Sequence, residues 1–410
     1  MEQLLQKYAE LIVKVGANVQ KDQRVLIRAT TDNNKIVRLI TKEAYLVGAK
    51  EVLVQWSDDE VSLLDGLHQS IETMKEVPEY VVKRAEYLVE ENVCHIAITS
   101  PVPGLLKDVD PNKLQARALA TQTKLQFFQE FVMGNGVQWV VAAAPNPTWA
   151  KRVFPEAKSS DEAEKLLWEA ILKASRVTKD NDPIKEWELH NKTLSKHNNL
   201  LNELNFKSLH FKNGLGTDIT VELIKDHIWS GGQEVSLKGV LFNPNIPTEE
   251  TFTMPYKYGV NGKVVATKPL NYQGKLIEDF WLEFKDGKVV NHFAKKEQAA
   301  LEALLNLDEG SRYLGEIALI SHDSPISNMN ILFYNTLFDE NASCHMALGR
   351  AYPMNVKGGT NMTKEELQAI DYNNSLNHED FMFGSSDMEI VGTKYNGEKV
   401  VIFKEGNFVI

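Results

Sequence analysis

The first half of the chain alternates helical sequence patterns with short apolar runs, and this alternation restricts the fold more than any other feature. Apolar side chains recur at helical spacing near the N-terminus, and residues 33–47 carry a second helical pattern. The apolar runs are typical of strands: RVLIRAT from Arg24, EVLVQW from Glu51, HIAITS from His95 and VQWVVAAA from Val137. The stretches between them are long enough for crossover helices, which predicts a mostly parallel sheet covered on both faces. We therefore expect an α/β N-terminal domain.

A polar, helix-like segment over residues 182–204 separates this half from a second half in which strand patterns and turn residues predominate. The domain boundary is therefore expected near residues 185–205. We predict an α/β domain over residues 1–195 and a metal-binding catalytic domain over residues 196–410.

The second half is predicted to be β-rich, with the α+β class of fold. Strand patterns occur in KSLHFK and TDITVELI, and LIEDFWLEF and KVVNHFA flank an Asp286-Gly287 pair that favours a tight hairpin turn. Helices are predicted over residues 294–306 and 363–370. The second of these has Thr363 as its cap and Glu366 three residues later, the spacing of a capping box.

Composition and charge exclude several classes of protein. Apolar residues make up 43% and charged residues 25% of the 410, which is ordinary for a globular chain with a sizeable core. The 56 acidic residues exceed the 45 Lys and Arg residues, giving a net charge of −11 that repels phosphate backbones and anionic lipids. The longest apolar run, VQWVVAAAP from Val137, falls short of the roughly 20 residues that span a bilayer. Neither nucleic acid nor a membrane is an expected partner.

Cysteine usage and the N-terminal sequence predict a cytoplasmic protein. Only Cys94 and Cys344 occur, which is too few for a disulfide framework. The N-terminus, MEQLLQKYAE, carries acids where a secretory signal would be basic and then apolar.

The common short catalytic motifs are absent from the sequence: there is no HExxH, Walker P-loop, GxSxG or CxxC. The glycine-rich piece Gly214-Leu-Gly216 lacks the third glycine of a dinucleotide fingerprint and lies between two strand-like runs, so we interpret it as a turn. Most of the ten histidines stand alone among charged residues and are expected at the surface, as in the cases of His68, His190, His197 and His292.

Two histidines differ because their segments also supply carboxylates. FDENASCHMALGRAY contains Glu340, His345 and Tyr352, and SLNHEDFMFGSSD contains His378 and Asp380. Residues i and i+2 of a strand point to the same face, so His378 and Asp380 could reach one centre while the residue between them faces away. Such a pair suits a metal ion.

Two further carboxylates occupy unusual positions. Glu250 lies within the segment NPNIPTEETFTMP, which contains three prolines, and Glu316 immediately precedes the apolar run IALI. A carboxylate at the start of a buried strand needs a compensating charge, which a cation would supply. Imidazoles with several carboxylates form an oxygen-rich set, unlike the thiolate set of structural zinc sites. The pattern indicates a catalytic metal centre of one or two ions that would activate a water nucleophile.

Four segments carry a family resemblance: NPNIPTEETFTMP, GSRYLGEIALI, SPISNMNILFYNTLFDENASCHMALGRAY and HEDFMFGSSD. They resemble the M29 family, also called the aminopeptidase S/T or thermophilic-type family, of dinuclear metallopeptidases. The strongest similarity covers roughly residues 205–410, and weaker similarity extends through the first half. The resemblance implies that the metal ligands are Glu250, Glu316, Glu340, His345, His378 and Asp380, with Glu340 either a direct ligand or an outer neighbour.

The resemblance also implies an activity and an assembly. The expected enzyme is a metallo-aminopeptidase of broad specificity, which uses two divalent ions (Zn, Co, Mn or Mg) to cleave peptides with a free N-terminus. The family implies a homodimer whose catalytic centres open into an enclosed cavity. We expect Glu316 to bridge the ions, Glu340 or Glu250 to act as general base, and Tyr352 to stabilise the oxyanion.

Two alternatives remain at this point. A cysteine hydrolase could use Cys344 as nucleophile with His378 as its base. A metal-stabilised peptide-binding protein would carry the same ligands without turnover. Cys344 directly precedes His345, and neighbouring residues seldom face one another, so a packed core cysteine is the simpler interpretation.

Overall fold

The computed structural model describes residues 1–273 and 275–410. Its helices are α1 Glu2–Leu11, α2 Asn34–Leu46, α3 Asp59–His68, α4 Ile71–Met74, α5 Glu79–Glu90, α6 Pro111–Lys124, α7 Gln126–Met133, α8 Pro147–Val153, α9 Ser160–Ala174, α10 Pro183–Leu204, α11 Gln298–Leu305, α12 Thr336–Asp339 and α13 Lys364–Ala369. Its strands are β1 Arg24–Thr30, β2 Glu51–Ser57, β3 Cys94–Thr99, β4 Trp139–Ala143, β5 Phe206–Lys212, β6 Asp218–Leu223, β7 Glu234–Val235, β8 Leu241–Phe242, β9 Thr251–Thr253, β10 Pro255–Val265, β11 Leu270–Tyr272, β12 Lys275–Lys285, β13 Lys288–Lys296, β14 Leu314–Leu319, β15 His345–Gly349, β16 His378–Met382, β17 Glu389–Lys394, β18 Lys399–Lys404 and β19 Asn407–Phe408.

The chain forms two compact units. The first contains Met1–Leu189 and Gln233–Pro247, and the second contains His190–Gly232 and Thr248–Ile410. The boundary at residues 195/196 stays a prediction about the domains. None of the described helices is long and apolar enough to cross a membrane.

The first unit contains a parallel sheet with the strand order β2–β1–β3–β4. The four apolar runs of the first half form these strands, and helices connect them in sequence. Buried β-branched side chains such as Val25, Ile27, Ile96 and Val140 line the sheet, as expected for parallel strands covered on both faces. The predicted α/β class is confirmed.

The second unit is built on a large antiparallel sheet with the path β11–β12–β10–β6–β5–β17–β18–β19, in which β13 also pairs with β12. The predicted hairpin joins β12 to β13, and Asp286 and Gly287 have positive φ values of 48° and 80°, as a tight two-residue turn requires. Gly214 and Gly216 lie in the turn between β5 and β6. The predicted β-rich second half is confirmed.

One predicted helix begins later than its sequence pattern indicated. The helix predicted over 294–306 begins at Gln298, because residues up to Lys296 continue β13 and Ala294 pairs with Phe280.

The capping box of α13 is present: Glu366 N–H donates to Thr363 Oγ1 at 3.2 Å, and Thr363 N–H donates to the Glu366 carboxylate at 2.7 Å.

A smaller antiparallel sheet with the order β16–β15–β14–β9 completes the second unit. One face of this sheet is apolar and packs into the core shared with the large sheet. Phe381 lies against Phe280 at a ring-centroid distance of 5.9 Å, and Phe383 lies against Phe211 at 5.3 Å. The large sheet therefore covers the apolar face of the small sheet, and the other face of the small sheet is left for polar side chains.

Gly349, the last residue of β15, allows a close approach that the polar face depends on. Its φ is +110°, and a Cβ there would overlap the carbonyl oxygen and the side chain of Asn377, the residue before β16. Gly358 provides a matched control, because its φ is also positive and an added Cβ would meet no described atom within 4 Å.

We predict that Gly358→Ala costs about 1–2 kcal/mol, since it introduces only backbone strain. Gly349→Ala should cost about 1–3 kcal/mol more, because the methyl group also pushes β15 and β16 apart. The free energies of unfolding would be measured by urea denaturation. Equal losses in the two variants would show that the approach of Asn377 does not limit this position.

Candidate metal centre

The pairing register of the small sheet brings four predicted site residues to one face. Ala347 of β15 lies opposite Glu316 of β14 on one side and opposite Asp380 of β16 on the other. Directly opposed residues of paired strands share a face, so Glu316 and Asp380 project to the same side. His345 and His378 each lie two residues before a member of this row and therefore project with it.

The strand sequences explain this division. The residues that alternate with the polar set are buried in the core: Ile317, Leu319, Met346, Leu348 and Phe381. A slip of one residue would exchange the two faces and bury the charges, so the apolar set fixes the register. Glu379, paired with Leu348, lies on the face opposite the site, as the alternation predicted.

Glu250 reaches the same face from the residue before β9. The backbone N–H of its neighbour Glu249 donates to the Asn341 side-chain oxygen at 2.7 Å. The Glu250 Oε2 atom lies 3.2 Å from His345 Nε2. A carboxylate that precedes the edge strand β9 thus meets an imidazole of the inner strand β15, although the two residues are far apart in sequence.

Glu316 lies between the two histidines, with one carboxylate oxygen toward each. Its Oε1 is 3.5 Å from His345 Nε2, and its Oε2 is 3.7 Å from His378 Nε2. Asp380 Oδ1 is 3.5 Å from the same His378 nitrogen. Among the described residues, two groups have ligand atoms within 4.8 Å of one another: Glu250, Glu316 and His345, and Glu316, His378 and Asp380. Glu316 belongs to both groups.

Backbone carbonyl groups fix the orientation of both imidazoles. His345 Nδ1 lies 3.2 Å from the Ser343 carbonyl oxygen, and His378 Nδ1 lies 2.6 Å from that of Arg350. When Nδ1 carries the proton and donates it to the carbonyl, the Nε2 lone pair is left facing the carboxylates. Histidines that bind metals are typically held in this way.

The electrostatics of the face favour a cation. Burial raises the pKa of Glu316 and would lower that of His378, but the Asp380 and Glu316 carboxylates raise the pKa of His378 to about 9. Burial also opposes charge on His345, yet its contacts with Glu250 and Glu316 raise its pKa well above the usual value. Without another cation, the histidines are therefore protonated beside these acids.

The donor set fits divalent metal ions. Asp380 Oδ1 is buried and has no hydrogen-bond partner among the described residues. Burial would raise the pKa of Asp380, but His378 and His345 lower it overall, so the carboxylate is ionised. An ionised oxygen that makes no hydrogen bond to these residues and lies 3.5 Å from the His378 Nε2 atom is suited to a metal, which would replace the protons on the histidines.

Glu340 and Tyr352 border this set. Glu340 follows α12, and burial and then the charges of Asp380 and Glu250 raise its pKa well above the usual value. It does not belong to either group of candidate ligands in the described part of the chain. The Tyr352 ring lies 4.6 Å from the His378 ring, centroid to centroid. Burial, followed by the nearby carboxylates, raises the pKa of Tyr352, so its phenol stays protonated.

Sequence reasoning missed Asn341 as a member of this region. Its buried side chain accepts from Glu249 N–H and donates to the Leu337 carbonyl at 3.1 Å and to Glu340 Oε1 at 3.4 Å. It thereby connects the segment before β9 to the segment after α12. No pattern in the sequence indicated this contact, because residues 249 and 341 meet only in the folded chain.

Three of the four surface predictions for histidines are wrong, and one of the three is His292, whose side chain is only 19% exposed. The His190 side chain is only 9% exposed, and its Nε2 lies 2.7 Å from the Thr248 carbonyl oxygen. His197 is partly buried and stacks on Phe408 at a centroid distance of 4.0 Å. His190 and His197 lie on the polar helix α10, whose packed side was not recognised from the sequence.

The sequence of nearly the whole chain matches a known protein family. The sequence profile described as thermophilic metalloprotease (M29) matches residues 1–408 of the chain. The chain belongs to the M29 metalloprotease family. The predicted resemblance and the predicted enzyme class, a metallo-aminopeptidase, are confirmed.

Full-length relatives agree with this assignment. Aminopeptidase AmpS of Bacillus subtilis (strain 168) is 45% identical over 406 residues, which are 99% of this chain and 98% of that protein. Aminopeptidase 2 of Geobacillus stearothermophilus is 44% identical over 407 residues, again 99% and 98% of the two chains. The structure of wild-type AmpT from Thermus thermophilus matches with a TM-score of 0.93 and 34% identity over 100% of both chains.

The cysteine alternative does not fit the structure. Cys344 is buried in the core, where its thiol exchanges hydrogen bonds of 3.3 Å with the backbone N–H and carbonyl of Ile320. Burial raises its pKa to about 11. The thiol is therefore protonated and out of reach of a substrate, and the family is one of metalloproteases.

We predict that His378→Ala and Asp380→Asn each lower metal affinity by about a hundredfold, because each removes a donor from the polar face. Glu379→Gln should leave affinity nearly unchanged, since this carboxylate lies on the opposite face. Metal per chain would be measured by elemental analysis after dialysis against a metal buffer. A comparable loss in Glu379→Gln would contradict the division between the two faces.

Proposed function

We propose that this enzyme removes the N-terminal residue from peptides with a free α-amine with the help of two metal ions, and that Glu316 would contribute to holding both. The observation that carries the proposal is the position of Glu316, with one oxygen toward His345 and the other toward His378. A carboxylate shared between two ligand groups is the arrangement expected of a dinuclear hydrolase.

The proposed ligands are Glu250, Glu316 and His345 for one ion, and Glu316, His378 and Asp380 for the other. Oxygen and imidazole ligands accept zinc, cobalt, manganese or magnesium, and availability selects among them. When bound, such ions polarise the scissile carbonyl and lower the pKa of a nearby water towards neutrality.

Glu340 is the proposed general base. Of the two carboxylates that the sequence left open for this role, Glu250 lies within a ligand group and Glu340 does not. The Glu340 carboxylate is buried beside the acids Asp380 and Glu250, so it would lie next to the proposed ions without belonging to a ligand group. Glu340 would accept a proton from the attacking water and later deliver one to the leaving amine.

Tyr352 is the proposed donor to the developing oxyanion. Its phenol is held in the protonated form by burial and by the acids around it, so it retains a proton to donate. The contact of its ring with His378 keeps the side chain beside the site. A donor fixed where negative charge develops stabilises the transition state more than the substrate.

The acidic character of the face supports recognition of a free amine. A protonated α-amine is attracted by the carboxylates that remain around the ions, whereas a peptide bond inside a chain carries no such charge. By resemblance to the family, we further propose a homodimer in the cytoplasm with broad preference for the N-terminal residue.

The first test concerns the bridge. Glu316→Gln should lower turnover at least about a hundredfold and reduce metal binding, because a neutral amide does not bridge two cations as a carboxylate does. Activity and metal stoichiometry would be measured on one sample whose fold is verified by circular dichroism. Full activity with two ions per chain would remove Glu316 from the centre.

The second test separates an aminopeptidase from an endopeptidase. A short peptide with a free N-terminus should release single N-terminal residues, whereas its N-acetylated counterpart should resist hydrolysis because the charged amine is gone. Products would be identified by mass spectrometry with metal-loaded enzyme. Comparable cleavage of the blocked peptide would end the aminopeptidase proposal and leave a metal hydrolase.

A further inference from the structure

The outer edge of β16 is available for pairing beside the metal centre. β16 is the end strand of the small sheet and pairs only with β15 in the described part of the chain. Residues 378–380 are partly exposed, whereas Phe381 and Met382 at the other end of the strand are buried. The partly exposed half of β16 therefore includes His378 and Asp380, the two residues of this strand that project into the site.

The pattern of backbone hydrogen bonds determines which peptide groups face this edge. Arg350 N–H donates to the Asn377 carbonyl at 2.8 Å, and Phe383 N–H donates to the Cys344 carbonyl at 3.0 Å. In an antiparallel pair, hydrogen-bonded positions alternate with positions whose N–H and C=O point away. Asn377 and Phe383 are hydrogen-bonded to the β15 side, so the backbone groups of the alternate residues between them, 379 and 381, also point towards β15. The backbone groups of His378 and Asp380 therefore point away from β15.

One end of this edge is closed. The Met382 carbonyl, which also points outward, accepts from Thr267 N–H at 2.9 Å, and Thr267 Oγ1 donates to the Gly384 carbonyl at 2.9 Å. His378 and Asp380 make no backbone hydrogen bond to another strand on this side among residues 1–273 and 275–410. The edge thus carries unpaired backbone groups at two alternate residues of the described chain and is occupied beyond them, at Met382.

We propose that the substrate's main chain binds as an added antiparallel strand along this edge, paired with the backbone of Asp380 and His378. The inference rests on the proposed aminopeptidase function and specifies how the peptide after the cleaved bond is held. Main-chain pairing is independent of side chains, so it supplies affinity while tolerating many sequences.

The closed end selects the direction of the bound peptide. In the antiparallel orientation, the N-terminal end lies toward Asp380 and the blocked Met382, and the rest of the chain runs past His378 toward Leu376, whose side chain is 74% exposed. A parallel peptide would instead run its C-terminal part into Thr267. Only a chain that begins near Asp380 fits, which accounts for removal of terminal residues rather than internal cleavage.

The test replaces single backbone N–H groups of the substrate with ester oxygens. A tetrapeptide with a free N-terminus would be compared with two analogues in which the N–H of residue 3 or of residue 4 is an ester oxygen. Strand pairing uses alternate residues. One ester should therefore lower kcat/KM about five- to tenfold, the loss expected for one hydrogen bond, and the other should change it less than twofold.

An aminoacyl anilide, which has no main chain beyond the cleaved bond, separates this inference from the proposed function. The strand pairing is wrong, and the aminopeptidase function stands, if metal-loaded enzyme cleaves the anilide but the two esters do not differ from each other in kcat/KM. This holds whether both esters match the parent tetrapeptide or both lose kcat/KM equally. If neither the anilide nor the tetrapeptide is cleaved, the proposed function itself fails. Loss at one ester alone supports the pairing.

Discussion

The concentration of carboxylates on one face of a small sheet is the constraint that organises the second unit. Glu250, Glu316 and Asp380 converge beside the imidazoles of His345 and His378, and ionised groups removed from water are costly unless they are paired. Positive charge is therefore a structural requirement here as well as a chemical one. The backbone carbonyls of Ser343 and Arg350 hold the two imidazoles by Nδ1, so both rings are oriented before any ligand arrives.

The opposite face of the same strands makes this arrangement rigid. Its apolar side chains interlock with the large sheet through aromatic contacts such as Phe280 with Phe381, so a shift of one strand would disturb the core. Small residues occupy the centre of the polar face: Ala347 separates Glu316 from Asp380, and Gly349 lies opposite His378. They leave the space above the middle strand to the charged side chains. The same alternation of polar and apolar residues along these strands therefore determines both the candidate ligand set and the packing of the core.

Local sequence patterns were sufficient where the interaction is local. The His378-x-Asp380 pair, the hairpin turn at Asp286 and the α13 capping box follow from strand alternation, turn chemistry and cap spacing, and the structure has all three. Contacts between distant segments were not accessible in this way. The contacts of the buried Asn341 side chain depend on the approach of two segments that are distant in sequence. The start of α11 depends on β13, which continues through a helix-compatible sequence because β12 pairs with it.

Neither buried thiol belongs to a candidate ligand group, and this has a consequence for the conditions under which the enzyme can operate. Cys94 and Cys344 are both buried, and burial raises the pKa of each, so neither presents a thiolate to solvent. Oxidants act on exposed thiolates first. The folded protein should consequently tolerate shifts in redox potential, and its catalytic state would follow the supply of divalent ions rather than the thiol–disulfide balance of its surroundings.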